Sequence, residues 1–192
     1  MRTNFEETIE SSISLKKKLF FLKNEINRIV IEVYNCLNKG NKVLICGNGG
    51  SAADAQHLAA EFLIRLNPKI NRRPFPVLNL AQDTSTITAC GNDLGYENIF
   101  LRNLTAFGKK KDVLILISTS GNSKNIIKAA NYAKKFGIKC IGFLGNKGGL
   151  VKKYCDYKLI VPSDKTAGIQ ECHIFFGHYI FNEVEKLLLK KK

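Results

Sequence analysis

No apolar run in this chain of 192 residues is long enough to cross a bilayer, and its start, Met1-Arg2-Thr3-Asn4-Phe5, lacks the hydrophobic centre of a secretory signal. No membrane partner is therefore expected. Nor is there a C-x-x-C pair: the cysteines Cys36, Cys46, Cys90, Cys140, Cys155 and Cys172 are scattered, several inside apolar stretches that suit a buried reduced thiol. A reducing cytoplasm is the expected compartment. No Gly-, Ser- or Pro-rich linker and no internal repeat divides the sequence, so one domain over 1–192 is expected. Acidic residues are scarce, 16 against 30 lysines and arginines, for a net charge of +14. Yet the dense basic clusters at 16–18, 109–111 and 190–192 lie in different segments without interleaved aromatics, and no helix-turn-helix or zinc-finger spacing occurs. No nucleic-acid partner is expected; a solvated basic surface that attracts anionic substrates is.

What is present begins with a helical pattern. Leu19, Leu22, Ile26, Ile29, Val33 and Leu37 recur at helical spacing, with Phe5, Ile9 and Ile13 upstream and Gly40 as a stop. This N-terminal helical segment, 1–40, precedes an α/β core over 41–192. There, strands at 42–46, 76–80, 113–117, 139–144 and 157–161 alternate with helices near 51–65, 96–107, 123–136 and 169–190, plus a brief helical piece after Gly148-Gly149. Such alternation predicts an α/β fold of doubly wound type, with a parallel five-stranded sheet covered on both faces. The N-terminal stripe exceeds what one sheet face needs, so a homo-oligomer is expected.

Two strand-to-helix loops stand out. The first, Gly47-Asn48-Gly49-Gly50-Ser51, has glycines for a tight turn and Ser51 as a candidate helix cap. His57 and Glu61 follow, four apart and so on one helical face. The second, Ser118-Thr119-Ser120-Gly121-Asn122-Ser123, is rich in hydroxyls and opens a helix. In open α/β sheets such loops gather at the carboxyl ends of the strands and suit a phosphate. Capping alone also explains Ser, Thr and Asn there; two such loops in one small chain favour phosphate. Neither carries the P-loop pattern. Gly47, Gly49 and Ala52 satisfy part of a dinucleotide fingerprint, but no acidic residue closes a second strand at the required distance. No nucleotide cofactor is expected.

The residues Cys46-Gly47-Asn48-Gly49-Gly50-Ser51, His57 with Glu61 and Arg65, Gly91-Asn92-Asp93, the 118–123 loop, and Gln170-Glu171 with His178 follow a known family in order and near spacing. The chain resembles a sugar isomerase (SIS) domain and, within that superfamily, the bacterial phosphoheptose isomerases. The resemblance implies a three-layer αβα sandwich with flavodoxin-like winding. It also implies conversion of sedoheptulose 7-phosphate to D-glycero-D-manno-heptose 7-phosphate, the first step toward activated heptose for lipopolysaccharide core or capsule. By the same analogy Glu61 is the base and His178 the acid. Asn48, Gly49, Gly50, Ser51, Asn92, Asp93 and Gln170 would meet the sugar, and Ser118, Thr119, Ser120 and Ser123 the phosphate. Arg65, four beyond Glu61, would steady the carboxylate or touch substrate. The resemblance further implies one zinc per subunit on His57, Glu61, Gln170 and His178, and a tetramer. Eight residues of helix rise about 12 Å, so Gln170 and His178 can share an ion only through an irregular first turn or between subunits. Gly168 departs from the arginine usual before Ile169-Gln170. The alternatives are a SIS-domain protein that assists a replication initiator, whose branch lacks the Glu61 and His178 pair, and a sugar-phosphate sensor. His173 carries no motif.

Overall fold

A computed structural model describes residues 4–81 and 83–190; Lys191 and Lys192 of the last basic cluster lie outside it, as do the first three residues. The strands β1 (Val43–Gly47), β2 (Val77–Asn79), β3 (Val113–Ser118), β4 (Lys139–Gly145) and β5 (Tyr157–Val161) form one parallel sheet in the order β2-β1-β3-β4-β5. This is the flavodoxin-like winding. Helices α1 (Phe5–Lys17), α2 (Lys23–Asn38), α3 (Gly50–Leu63), α4 (Thr84–Asp93), α5 (Ile99–Phe107), α6 (Lys124–Phe136) and α7 (Thr166–Leu189) surround it.

The strands read as near-continuous apolar runs because both faces are covered. Val43, Ile45, Ile115 and Phe143 face one core with Ile29 and Val33 of α2, Leu58 and Phe62 of α3, and Phe176 and Ile180 of α7. Leu44, Cys46, Leu114 and Leu116 face the other, with Phe100 and Leu104 of α5 and Ile126 and Ala130 of α6. All six cysteines are buried free thiols. Among the described residues no helix is long and apolar enough to cross a membrane.

Two expectations change. The stripe from Leu19 to Leu37 is buried, but Phe5, Ile9 and Ile13 are exposed and α1 buries no residue. Helix α4 is not among the expected helices: Thr84-Ser85-Thr86-Ile87-Thr88 consists of residues that lose rotamer freedom in a helix or bond locally instead. Asp83 overrides this by accepting the Thr86 N–H at 2.7 Å and the Thr86 hydroxyl at 2.6 Å.

Candidate active site

The sheet order reverses between β1 and β3, and the loops singled out in the sequence follow these two strands at their carboxyl ends. Gly49 has φ +55° and ψ −123°, a region that side chains disfavour, and it immediately precedes α3. Ser51 is therefore not the cap; it lies buried in the first turn, its N–H on the Asn48 carbonyl at 3.0 Å. Gly50 admits a neighbour: a Cβ there would stand 2.5 Å from Nε2 of Gln170. Helix α7 thus lays the Gln170 amide directly on the glycine loop.

In the second loop Ser118 is buried and its Oγ accepts the Gly121 N–H at 3.0 Å, while Ser120 Oγ accepts the Asn122 N–H at 3.1 Å. A hydroxyl oxygen that accepts still has its hydrogen to give. The β4–β5 connection braces this loop, with Leu150 N–H on Asn122 Oδ1 at 3.0 Å and Val151 N–H on the Gly121 carbonyl at 2.9 Å. Thr119 and Ser123 are half-buried and Ser120 exposed, beside the N-terminus of α6.

Glycine also assembles the acid–base cluster. A Cβ on Gly177 would lie 2.4 Å from Cδ1 of Leu58, so α7 approaches α3 closely at this point. One residue on, His178 meets His57, their Nε2 atoms 2.8 Å apart and their rings edge to face at 83°. Glu61 Oε1 stands 3.8 Å from His57 Nε2. A single hydrogen fits between the two nitrogens, so one Nε2 donates and the other accepts.

Asp54, which the sequence reading missed, lies a turn before His57. Its Oδ2 is buried and has no hydrogen-bond partner among the described residues. Burial raises its carboxyl pKa, and the charges of His57 and His178 pull it partly back. Its only sequence signal is the i−3 spacing to His57.

Other expected residues are not gathered. Helix α3 ends at Leu63, so Arg65 is outside it and exposed rather than on the His57–Glu61 face. The guanidinium that reaches this helix is that of Arg72, which donates to the Glu61 carbonyl at 3.1 Å and the Phe62 carbonyl at 2.9 Å. Asn92 and Asp93 are exposed at the end of α4 and bonded to each other at 2.8 Å. Gln170 sits in the second turn of α7, with its amide on the glycine loop. Gly168 is where α1 lands: a Cβ there would be 3.1 Å from Cδ2 of Leu15, and Ser12 donates to Glu171 nearby at 2.7 Å.

His173 is the core histidine of α7. It is fully buried, and burial depresses its pKa to about 4, a shift the Leu144 backbone opposes. The unfolded chain would bind this proton near pH 6.5 and the folded chain only near 4, so stability falls as pH drops between those values. The loss is on the order of 3 kcal/mol from this group. Denaturant midpoints from pH 7 to pH 4 check it: His173→Leu should flatten the slope, and an unchanged slope would rule the assignment out.

Residues 9–145 match the family model described as a SIS domain. A curated phosphoheptose isomerase of Clostridium acetobutylicum is 49% identical over 100% of this chain and 98% of its own length. The solved phosphoheptose isomerase of Francisella tularensis superposes with a TM-score of 0.90 at 35% identity, covering 95% of this chain and 97% of that one. That of Neisseria gonorrhoeae gives 0.87 at 36% identity, covering 94% and 96%.

Proposed function

The chain belongs to the SIS-domain family and, within it, to the phosphoheptose isomerases, and on that premise we propose that it interconverts sedoheptulose 7-phosphate and D-glycero-D-manno-heptose 7-phosphate. The observation that carries this reading is the meeting of His178 and His57 at 2.8 Å beside Glu61, on the helix that follows the glycine loop. A ketose–aldose isomerisation needs a base for a carbon-bound proton and an acid for the adjoining oxygen. Glu61 takes the C1 proton and His178 supplies one to the C2 oxygen, giving the enediol. A proton returned to C2, with loss of the C1 hydroxyl proton, completes the aldose. The loop at 118–123 holds the phosphate, and Asn48, the glycine backbone and Gln170 hold the sugar. The product then enters activated-heptose synthesis in the cytoplasm.

The residues present fit a zinc ion in part. Two Nε2 atoms converge, Glu61 is adjacent, and Asp54 Oδ2 is an unfilled acceptor beside them. Among the described residues no group of three or more His, Cys, Asp or Glu side chains is already closed on one point. Two imidazoles and a carboxylate are a donor set that suits zinc. His57, Glu61 and His178 would hold the ion, with Gln170 as the fourth residue of the expected set. When bound, zinc would polarise the substrate oxygens. A His178 Nε2 that binds metal cannot donate a proton, nor can a bound Glu61 act as a strong base, so the two uses alternate.

A homo-oligomer, taken as a tetramer, covers the exposed Phe5, Phe20 and Phe21, together with a groove of about 650 Å³ that includes Ile13, Phe20, Phe175 and Tyr179. Phe175 and Tyr179 lie near His178 in α7, which supports an interface close to the site. Purified protein incubated with sedoheptulose 7-phosphate should form the aldose phosphate, and a chelator should slow it with recovery on added zinc. Binding of the sugar phosphate without turnover would move the protein to the sensor or replication-associated class.

A further inference from the structure

One side-chain pair joins the two ligand loops. Asn48 follows β1 and Asn125 lies in the first turn of α6, 77 positions later in the chain. They exchange both amide hydrogen bonds, Asn48 Nδ2 to Asn125 Oδ1 at 2.9 Å and Asn125 Nδ2 to Asn48 Oδ1 at 2.8 Å. The orientation is forced. The Ile126 N–H, which can only donate, lies 2.9 Å from Asn125 Oδ1 and fixes that atom as oxygen. Turning Asn48 over would then set oxygen against oxygen. The Tyr96 hydroxyl, arriving from the short 3-10 turn Tyr96–Asn98, also donates to Asn48 Oδ1, at 3.0 Å.

Asn48 Oδ1 thereby holds two donors, its full complement, and one Nδ2 hydrogen is used. The other has no partner among the described residues. It belongs to a half-buried side chain facing a hollow of about 460 Å³ shared with Tyr96, Ser123, Lys124 and Asn125. Asn125 itself is buried, 2% exposed. A pair that served only to fill space would not need a third residue to saturate one oxygen and leave one donor free.

We propose that Asn125 and Tyr96 form a clamp that fixes Asn48 as a single hydrogen-bond donor to a sugar hydroxyl oxygen and ties the sugar-holding loop to the phosphate-holding loop. Asn125 and Tyr96 are positioning residues, and the proposal rests on the isomerase reading above. Without the clamp, the Asn48 amide could turn its oxygen to the substrate and the two loops could slip. A sugar phosphate spans both loops and would feel the change. Inorganic phosphate needs only the second loop and would not.

The test is steady-state turnover of sedoheptulose 7-phosphate together with inhibition by inorganic phosphate, in the full chain and its variants. Asn125→Ala should lower kcat/KM by roughly 10- to 100-fold while the inhibition constant for phosphate stays within about twofold. Tyr96→Phe removes only an exposed hydroxyl, so folding is not at risk, and should act in the same direction by about threefold. In an Asn48→Ala background Asn125→Ala should add almost nothing, as for residues acting as a unit. The clamp is overturned if Asn125→Ala weakens phosphate as much as sugar phosphate, leaves kcat/KM unchanged, or multiplies with Asn48→Ala. Failure of the isomerase reading shows differently, as an unaltered protein that does not turn over. Calorimetric affinities for the sugar phosphate and for phosphate then carry the same comparison.

Discussion

Glu61→Gln is expected to remove isomerisation while sedoheptulose 7-phosphate still binds. The amide keeps the size and one acceptor of the carboxylate but cannot take a proton from carbon, so kcat should fall by about 10²–10⁴-fold, the usual worth of a positioned base. Binding should change little, because on the proposed reading the loop at 118–123 holds the phosphate and the glycine loop the sugar, both apart from the last turn of α3 that carries Glu61. Three measurements separate the possible roles: aldose formation, calorimetric affinity, and exchange of the C1 proton in heavy water. Loss of exchange along with turnover assigns Glu61 to the proton itself. Turnover that returns with excess zinc would make Glu61 a ligand and move the base elsewhere. A kcat within tenfold of the unaltered protein would remove Glu61 from the chemistry.

That test rests on residues the sequence already displayed, and it is instructive which ones it did not. Strand positions were legible because parallel strands buried on both faces become unbroken apolar runs, as in Val43–Cys46 and Val113–Ile117. The two loops were legible because positive φ demands glycine and helix starts favour hydroxyls, both local requirements. His57 and Glu61 share a helix, so their spacing alone placed them together. Their meeting with His178 depends on Gly177 passing Leu58, a contact between distant segments that no local pattern records. Asn125 was missed for the same reason, since it matters through Asn48, 77 positions earlier, and Asp54 because its burial comes from packing that no local pattern records. Arg65 was misplaced because a helix end was drawn two residues late. Helix α4 was missed because its propensity is poor and a single carboxylate, Asp83, compensates. The exposed N-terminal phenylalanines show the limit from the other side, since a stripe reveals that it will be covered and not by what.

Arg72→Ala should be among the most destabilising single changes in the chain. The Arg72 and Glu185 side chains are 1% and 3% exposed and hydrogen-bonded to each other, and the guanidinium lies 4.5 Å from the centre of the Phe75 ring. Its two terminal nitrogens donate to the carbonyls of Glu61, Phe62 and Arg73. The first two belong to the last turn of α3, where carbonyls lack helical partners. Removing the arginine leaves a buried carboxylate and the Glu61 carbonyl unpaired together, while the Phe62 carbonyl keeps only the Phe75 N–H at 3.3 Å, at a cost of roughly 3–5 kcal/mol. At about 2–4 °C per kcal/mol for a chain of this size, Tm should fall by about 10 °C. Replacing both partners, as Arg72→Met with Glu185→Leu, should recover much of the loss, because no unpaired charge then remains. Arg72→Lys tests the geometry rather than the charge: an ammonium cannot reproduce the planar fork. Since the Glu61 carbonyl is among the bonds lost, kcat should drop further in Arg72→Lys than its Tm implies. A Tm for Arg72→Ala within about 2 °C of the unaltered protein would show that water or the Phe75 ring compensates. A normal kcat in Arg72→Lys would show that Arg72's hold on the end of α3 does not position the Glu61 carboxylate.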